Sequence, residues 1–166
     1  MRGVQIWRSG GVRSPLEEVV SPAVACLYFE AWSEWQLGES ASSGANMAEA
    51  ISLAEELNDT LGLALALYFA AGLAHFERNP AKVERLASDL IALSTRHNFA
   101  SYSLAGAAIL RGWARSASGQ TVEGISGIES GIENYQTHGS AIVTVPFWLA
   151  LAPRAAALPT QTLEKP

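Results

Sequence analysis

The chain has 166 residues and a mass of 17.6 kDa, enough for one ordinary domain or a short repeat array and too little for two large domains. Hydrophobic residues make up 49% of it and charged residues 16%, which excludes wholesale disorder, and 28 alanines against 21 glycines and prolines favour closely packed helices over strands and turns. A formal charge of -5, with only Lys82 and Lys165 as lysines, argues against nucleic acid as a partner, because phosphate binding needs clustered cations.

Residues 1–20 read as an N-terminal extension. It has no apolar stretch of signal-peptide length, and Ser14-Pro15-Leu16-Glu17 fits a capping box that could open a short helix. Ser21-Pro22 then puts a capping side chain before a proline at the first helical position and predicts a helix over 22–37. Further helices are expected over 45–57, 60–78, 80–97 (opened by Asn79-Pro80), 100–118 and 121–137, with a seventh starting near Ala141. The apolar run Leu61–Ala74 in the third is 14 residues long, short of the ~20 that span a bilayer, and reads as a buried helix, so no membrane partner is expected. A single Cys26 cannot form an internal disulfide, and a cytoplasmic location is the expectation.

The helix-breaking positions recur. Gly38, Asn79 and Gly119 are separated by 41 and 40 residues, and Asn58, Asn98 and Gly139 by 40 and 41. Gly and Asn accept the left-handed backbone just past a helix end, so this regularity marks regular helix termination. In the second helix of each hairpin, Met47, Ile51, Leu53, Ala54 and Leu57, then Val83, Leu86, Leu90, Ile91 and Leu93, then Ile125, Ile128 and Ile132, recur at three and four residues and give one apolar stripe each. The first helices are apolar nearly all round, as expected of helices sandwiched between neighbours. Aligned on their ends, they place Ala31, Gly72 and Gly112 in one column, where small side chains allow close approach. The expected fold is therefore all-α: a right-handed, tetratricopeptide-like α-solenoid of helical hairpins with a period of about 40 residues, against the usual 34. Its units would be about 21–58, 59–98 and 99–139, with a partial fourth over 140–152 and a tail over 153–166.

Leu110-Arg111-Gly112-Trp113-Ala114, then Gly119-Gln120 and Glu123-Gly124-Ile125, resemble the helical-repeat region of large bacterial predicted ATPases that are often fused to adenylate or guanylate cyclase domains. They are also similar to the long-repeat arrays of maltose-type transcription activators. Ser21–Leu27, Ala87–Ala92 and Pro146–Leu151 extend the resemblance, which covers about residues 21–152. It implies a helical-repeat fold and a signalling or regulatory ancestry, and it brings no catalytic residues. The chain carries no Gly-x-x-x-x-Gly-Lys-Ser/Thr loop and no cyclase metal-carboxylate pair, so the ATP and cyclase chemistry of those proteins is not expected here. The chain reads as a segment of a longer regulator.

Three histidines, His75, His97 and His138, form no i, i+4 pair and no Cys/His cluster, so neither a metal nor a cofactor is expected. The charges within otherwise apolar first helices are the leading functional candidates, because burying them unpaired costs several kcal/mol. Glu30 and Glu34 share two columns with Ala71 and His75 and with Arg111 and Arg115. A groove with an acidic and a basic end is one reading, and structural ion pairing is the other. Arg115 is the better binding candidate and Arg111 the better structural one. Tyr28, Phe29, Trp32 and Trp35 could pack as core or line an aromatic pocket of Tyr28, Trp32 and Trp35. Phe147, Trp148, Leu149 and Leu151 belong to a helix that stops at Pro153. Phe147, Trp148 and Leu151 suggest fold-back or self-association, most simply a homodimer. The expected function is a non-enzymatic protein–protein interaction or regulatory scaffold domain that engages a protein or peptide segment. A small-molecule effector sensor is the alternative.

Overall fold

The computed structural model describes residues 20–99 and 101–137. They form six helices: α1 (Pro22–Gln36), α2 (Ser40–Glu56), α3 (Thr60–Phe76), α4 (Pro80–His97), α5 (Ser101–Ala117) and α6 (Thr121–Thr137). There is no strand among the described residues, so the fold is all-α. The expected seventh helix, the Ser14–Glu17 capping box, Gly139 and the segment with Phe147, Trp148 and Leu151 lie outside them.

All five links are three residues long and share one hydrogen-bond pattern. The N–H groups of Glu39, Asp59, Asn79, Phe99 and Gln120 donate to the carbonyls of Glu34, Ala54, Ala74, Ser94 and Arg115, five residues back, at 2.9–3.0 Å. The residue before each of these donors has positive φ: Gly38 (87°), Asn58 (55°), Arg78 (58°), Asn98 (52°) and Gly119 (95°). Together these features make the Schellman termination, which satisfies the carbonyls a helix end leaves open. The left-handed positions recur every 20 or 21 residues. One expected break is corrected. Arg78, not Asn79, takes the left-handed backbone, and Asn79 instead opens α4, its side-chain oxygen accepting from the Lys82 N–H at 3.0 Å.

Two helix starts also differ from the sequence reading. α2 begins at Ser40, five residues before Ala45, because the Gly38 turn is followed at once by helix. Its buried row accordingly starts a turn earlier, at Ser43, Met47, Ala50 and Ala54, while Leu57 is exposed. Ser21 does not cap α1 with its hydroxyl. Its backbone N–H is held instead by the carboxylate of Asp59, 38 residues along the chain, at 2.7 Å.

Each helix packs against the next, and α3 also lies against both α1 and α5. That position explains its composition. α3 carries no Asp, Glu, Lys or Arg, and ten of its 17 residues are buried. α4 lies against α3 and α5 and buries one stripe, Val83, Leu86, Ala87, Leu90 and Ser94. α5 serves two cores. Ala107, Leu110, Trp113 and Ala114 face the main cluster shared with α1 to α4, whereas Ala105 and Ile109 join Ile128, Ile132 and Tyr135 of α6.

The three positions of the small-residue column have different surroundings. The Ala31 carbonyl accepts a 2.7 Å hydrogen bond from the buried Ser43 hydroxyl of α2. Gly72 lies under the ring of Trp32, which would stand 3.1 Å from an added Cβ. Gly112 meets backbone: a Cβ there would be 2.6 Å from the Gly124 carbonyl and 3.0 Å from the Ile128 nitrogen. Gly131 of α6 faces Ala105 O and Ile109 N in the same way, at 2.8 and 3.2 Å. Glycines on both helices thus set the α5–α6 approach.

Candidate functional site

The helical ends place four aromatic positions in register. Tyr28 and Trp35 are two turns apart on α1, Phe69 and Phe76 are two turns apart on α3, and each α3 ring follows its α1 counterpart by 41 residues. The two pairs form parallel rungs. Tyr28 stacks on Phe69 with ring centroids 4.7 Å apart and planes 13° apart, and Trp35 stacks on Phe76 at 5.0 Å and 26°. Trp32 stands between the rungs and presents an edge to both, at 5.5 Å from Phe69 and 5.4 Å from Phe76. Phe29 closes the other side, 5.3 Å from Phe69. Contacts of this geometry contribute about 0.5 to 1.5 kcal/mol each beyond the area they bury.

This seam is part core and part surface. Tyr28 is 4% exposed, whereas Phe29 is 55% and Phe76 37% exposed, with Trp32, Trp35 and Phe69 half-buried between them. The faces of Tyr28 and Trp35 are spent on Phe69 and Phe76, so the space between the rungs is filled by protein. Phe29 and Phe76 are the most exposed of these rings. Phe69 was absent from the residues singled out in the sequence. Its 41-residue spacing from Tyr28 is the signal that points to it.

The charged candidates are not gathered at one place. Glu34 turns to α2, accepting from the Ser42 hydroxyl at 2.6 Å and from the Asn46 amide at 2.8 Å. Arg115 turns to α4, where Nε and Nη2 both donate to Glu84 Oε1 at 3.2 Å. Each therefore ties a first helix to a second one, Arg115 through an ion pair and Glu34 through hydrogen bonds to neutral groups. His75 is 5% exposed and presents its ring to Trp113, with centroids 4.4 Å apart and planes at 76°. Its surroundings are those of a packed ring rather than of a groove wall. Glu30 and Arg111 are both half-buried. Glu30 follows Phe29 directly and lies beside the seam.

Among the described residues no group of three or more His, Cys, Asp or Glu side chains is placed to hold a metal ion, and no helix is long and apolar enough to cross a membrane. Cys26 is exposed, one turn before Phe29 on α1. Comparison with protein families, with curated proteins and with solved structures finds no match for this chain.

Proposed function

We propose that the chain is a non-catalytic binding domain, a tetratricopeptide-like α-solenoid of hairpins about 40 residues long that serves as a protein–protein interaction or regulatory scaffold. The partner is a protein or peptide segment laid along α1 and α3. One observation carries this reading: the ridge of Phe29, Trp32, Trp35, Phe69 and Phe76 is left partly open to solvent on a pair of helices of which one, α3, has no charged residue. Soluble proteins seldom leave contiguous apolar surface bare, and large rings are the side chains that most often anchor an interface. The recurrence of the helix ends and the packing of α3 against both α1 and α5 support the solenoid arrangement. The resemblance of the Arg111-Gly112-Trp113 segment to the repeat regions of bacterial predicted ATPases, adenylate cyclases and maltose-type activators supports a regulatory role in the cytoplasm.

The test is an unbiased selection from a displayed library of random and proteome-derived peptides on the full chain, followed by affinity measurement with Phe29→Ala and Phe76→Ala. Selected peptides should weaken about tenfold with each substitution, the loss typical of an anchoring ring. A selection that yields no binder, or binders indifferent to both substitutions, removes the reading.

A further inference from the structure

The charge of the chain that builds the seam is one-sided. Residues 20–77, which include all of α1, α2 and α3, contain eight carboxylates and no Lys or Arg. Residues 78–117, by contrast, contain six of the chain's eleven basic residues and two carboxylates. The acids also adjoin the rings along the chain, in Phe29-Glu30, Glu34-Trp35 and Phe76-Glu77. Of these, Glu77 bonds Lys82 at 3.1 Å, whereas Glu34 bonds the neutral Ser42 and Asn46. An apolar ridge set in a field of one sign selects partners of the other sign.

We propose that the seam takes a basic peptide, one that alternates Arg or Lys with large apolar side chains. This rests on the reading of the chain as a binding domain and names the chemistry of its partner. The apolar side chains of such a peptide cover the ridge between Phe29 and Phe76, and its guanidinium groups lie beside Glu30 and Glu34. Nucleic acid and anionic membranes carry the wrong sign for residues 20–77.

The probes are two synthetic 14-residue peptides, one with four Arg spaced between Leu and Trp, the other identical but with Glu at each Arg. Full-length chain is labelled at Cys26, its single cysteine and one turn from Phe29, with an environment-sensitive dye, and titrated with each. The basic peptide should bind at least tenfold more tightly than its acidic twin and weaken about tenfold between 50 and 500 mM salt. It should also lose about tenfold with Phe29→Ala and severalfold with Glu30→Gln, but not with Glu129→Gln on α6, which removes the same charge elsewhere. If the acidic twin binds as well and with the same dependence on Phe29, the basic partner is wrong while the binding domain stands. If Glu129→Gln matters as much as Glu30→Gln and Phe29→Ala does nothing, the peptide follows net charge alone and the site is wrong. If neither peptide binds, the inference fails, and the unbiased selection above still decides the broader reading. Two other occupants have their own signatures, either of which overturns an external peptide. Tighter binding after Arg2, Arg8 and Arg13 are changed to Glu assigns the seam to the chain's own first residues. A mass that rises with concentration in light scattering and falls with Phe29→Ala assigns it to a second copy.

Discussion

One carboxylate, that of Asp59, holds the N-termini of two helices: Oδ2 accepts the Ser21 N–H at 2.7 Å at the start of α1, and Oδ1 accepts the Gly62 N–H at 2.8 Å in the first turn of α3. The pair Asp59–Ser21 therefore fixes the relative height of α1 and α3, on which the ring rungs depend. Asp59→Ala removes both acceptors and is expected to cost about 2 kcal/mol, and Asp59→Asn about half of that because one oxygen remains. Gly62→Ala is expected to destabilise as well, since its Cβ would lie 2.6 Å from the Asp59 carboxyl carbon. In the Asp59→Ala background the same change should become neutral or favourable, as alanine is the better helix former by about 1 kcal/mol. Urea unfolding of the four proteins measures the cycle, and additive effects would refute the shared cap.

The α5–α6 crossing predicts opposite signs for one type of substitution. Gly112→Ala and Gly131→Ala place a methyl within 2.6 to 2.8 Å of backbone on the facing helix, so the helices must separate. Each is expected to lose about 2 to 3 kcal/mol, the scale of overpacking in a close-packed interior. Gly44→Ala on α2, with nothing within 4 Å of its Cβ, should gain up to about 1 kcal/mol. Thermal melts decide it: three equal shifts would show that the crossing is not tight.

Among the described residues Arg78 is the one long side chain at a left-handed helix end, in a series otherwise made of Gly and Asn. Replacing it by Gly relieves the clash of Cβ with the backbone, and a gain of about 1 kcal/mol is expected; Arg78→Val should lose stability. An Arg78→Gly protein less stable than the parent would mean that the arginine itself holds something in place.

The Arg115–Glu84 pair is about 37% exposed on both sides. Water screens it, and a double-mutant cycle of Arg115→Gln and Glu84→Gln should give a coupling below about 1 kcal/mol. The same substitutions should leave peptide affinity at the seam unchanged, because the pair joins α5 to α4. A loss of binding with Arg115→Gln would return that residue to the partner surface.

The order and spacing of the six described helices were legible in the linear sequence because the signals for helix ends are local. A positive φ and an N–H bonded five residues back involve one turn of chain, and Gly38, Asn58, Asn98 and Gly119 announce it by residue type. Arg78 does not announce it, and was missed, because nothing about arginine prefers that backbone. The apolar stripe of α4 and the uncharged α3 were readable for a similar reason, since periodicity within one helix reports how many sides are covered. How the helices lie against each other was not readable in that way. The hold of Asp59 on Ser21, the bonds of Glu34 to Ser42 and Asn46, the pairing of Arg115 with Glu84 and the ring rungs of α1 on α3 all depend on the sideways offset and rotation of packed helices. Those are set by where glycines let backbones meet and large rings hold them apart, a balance of many small contacts that exists only once the helices are together.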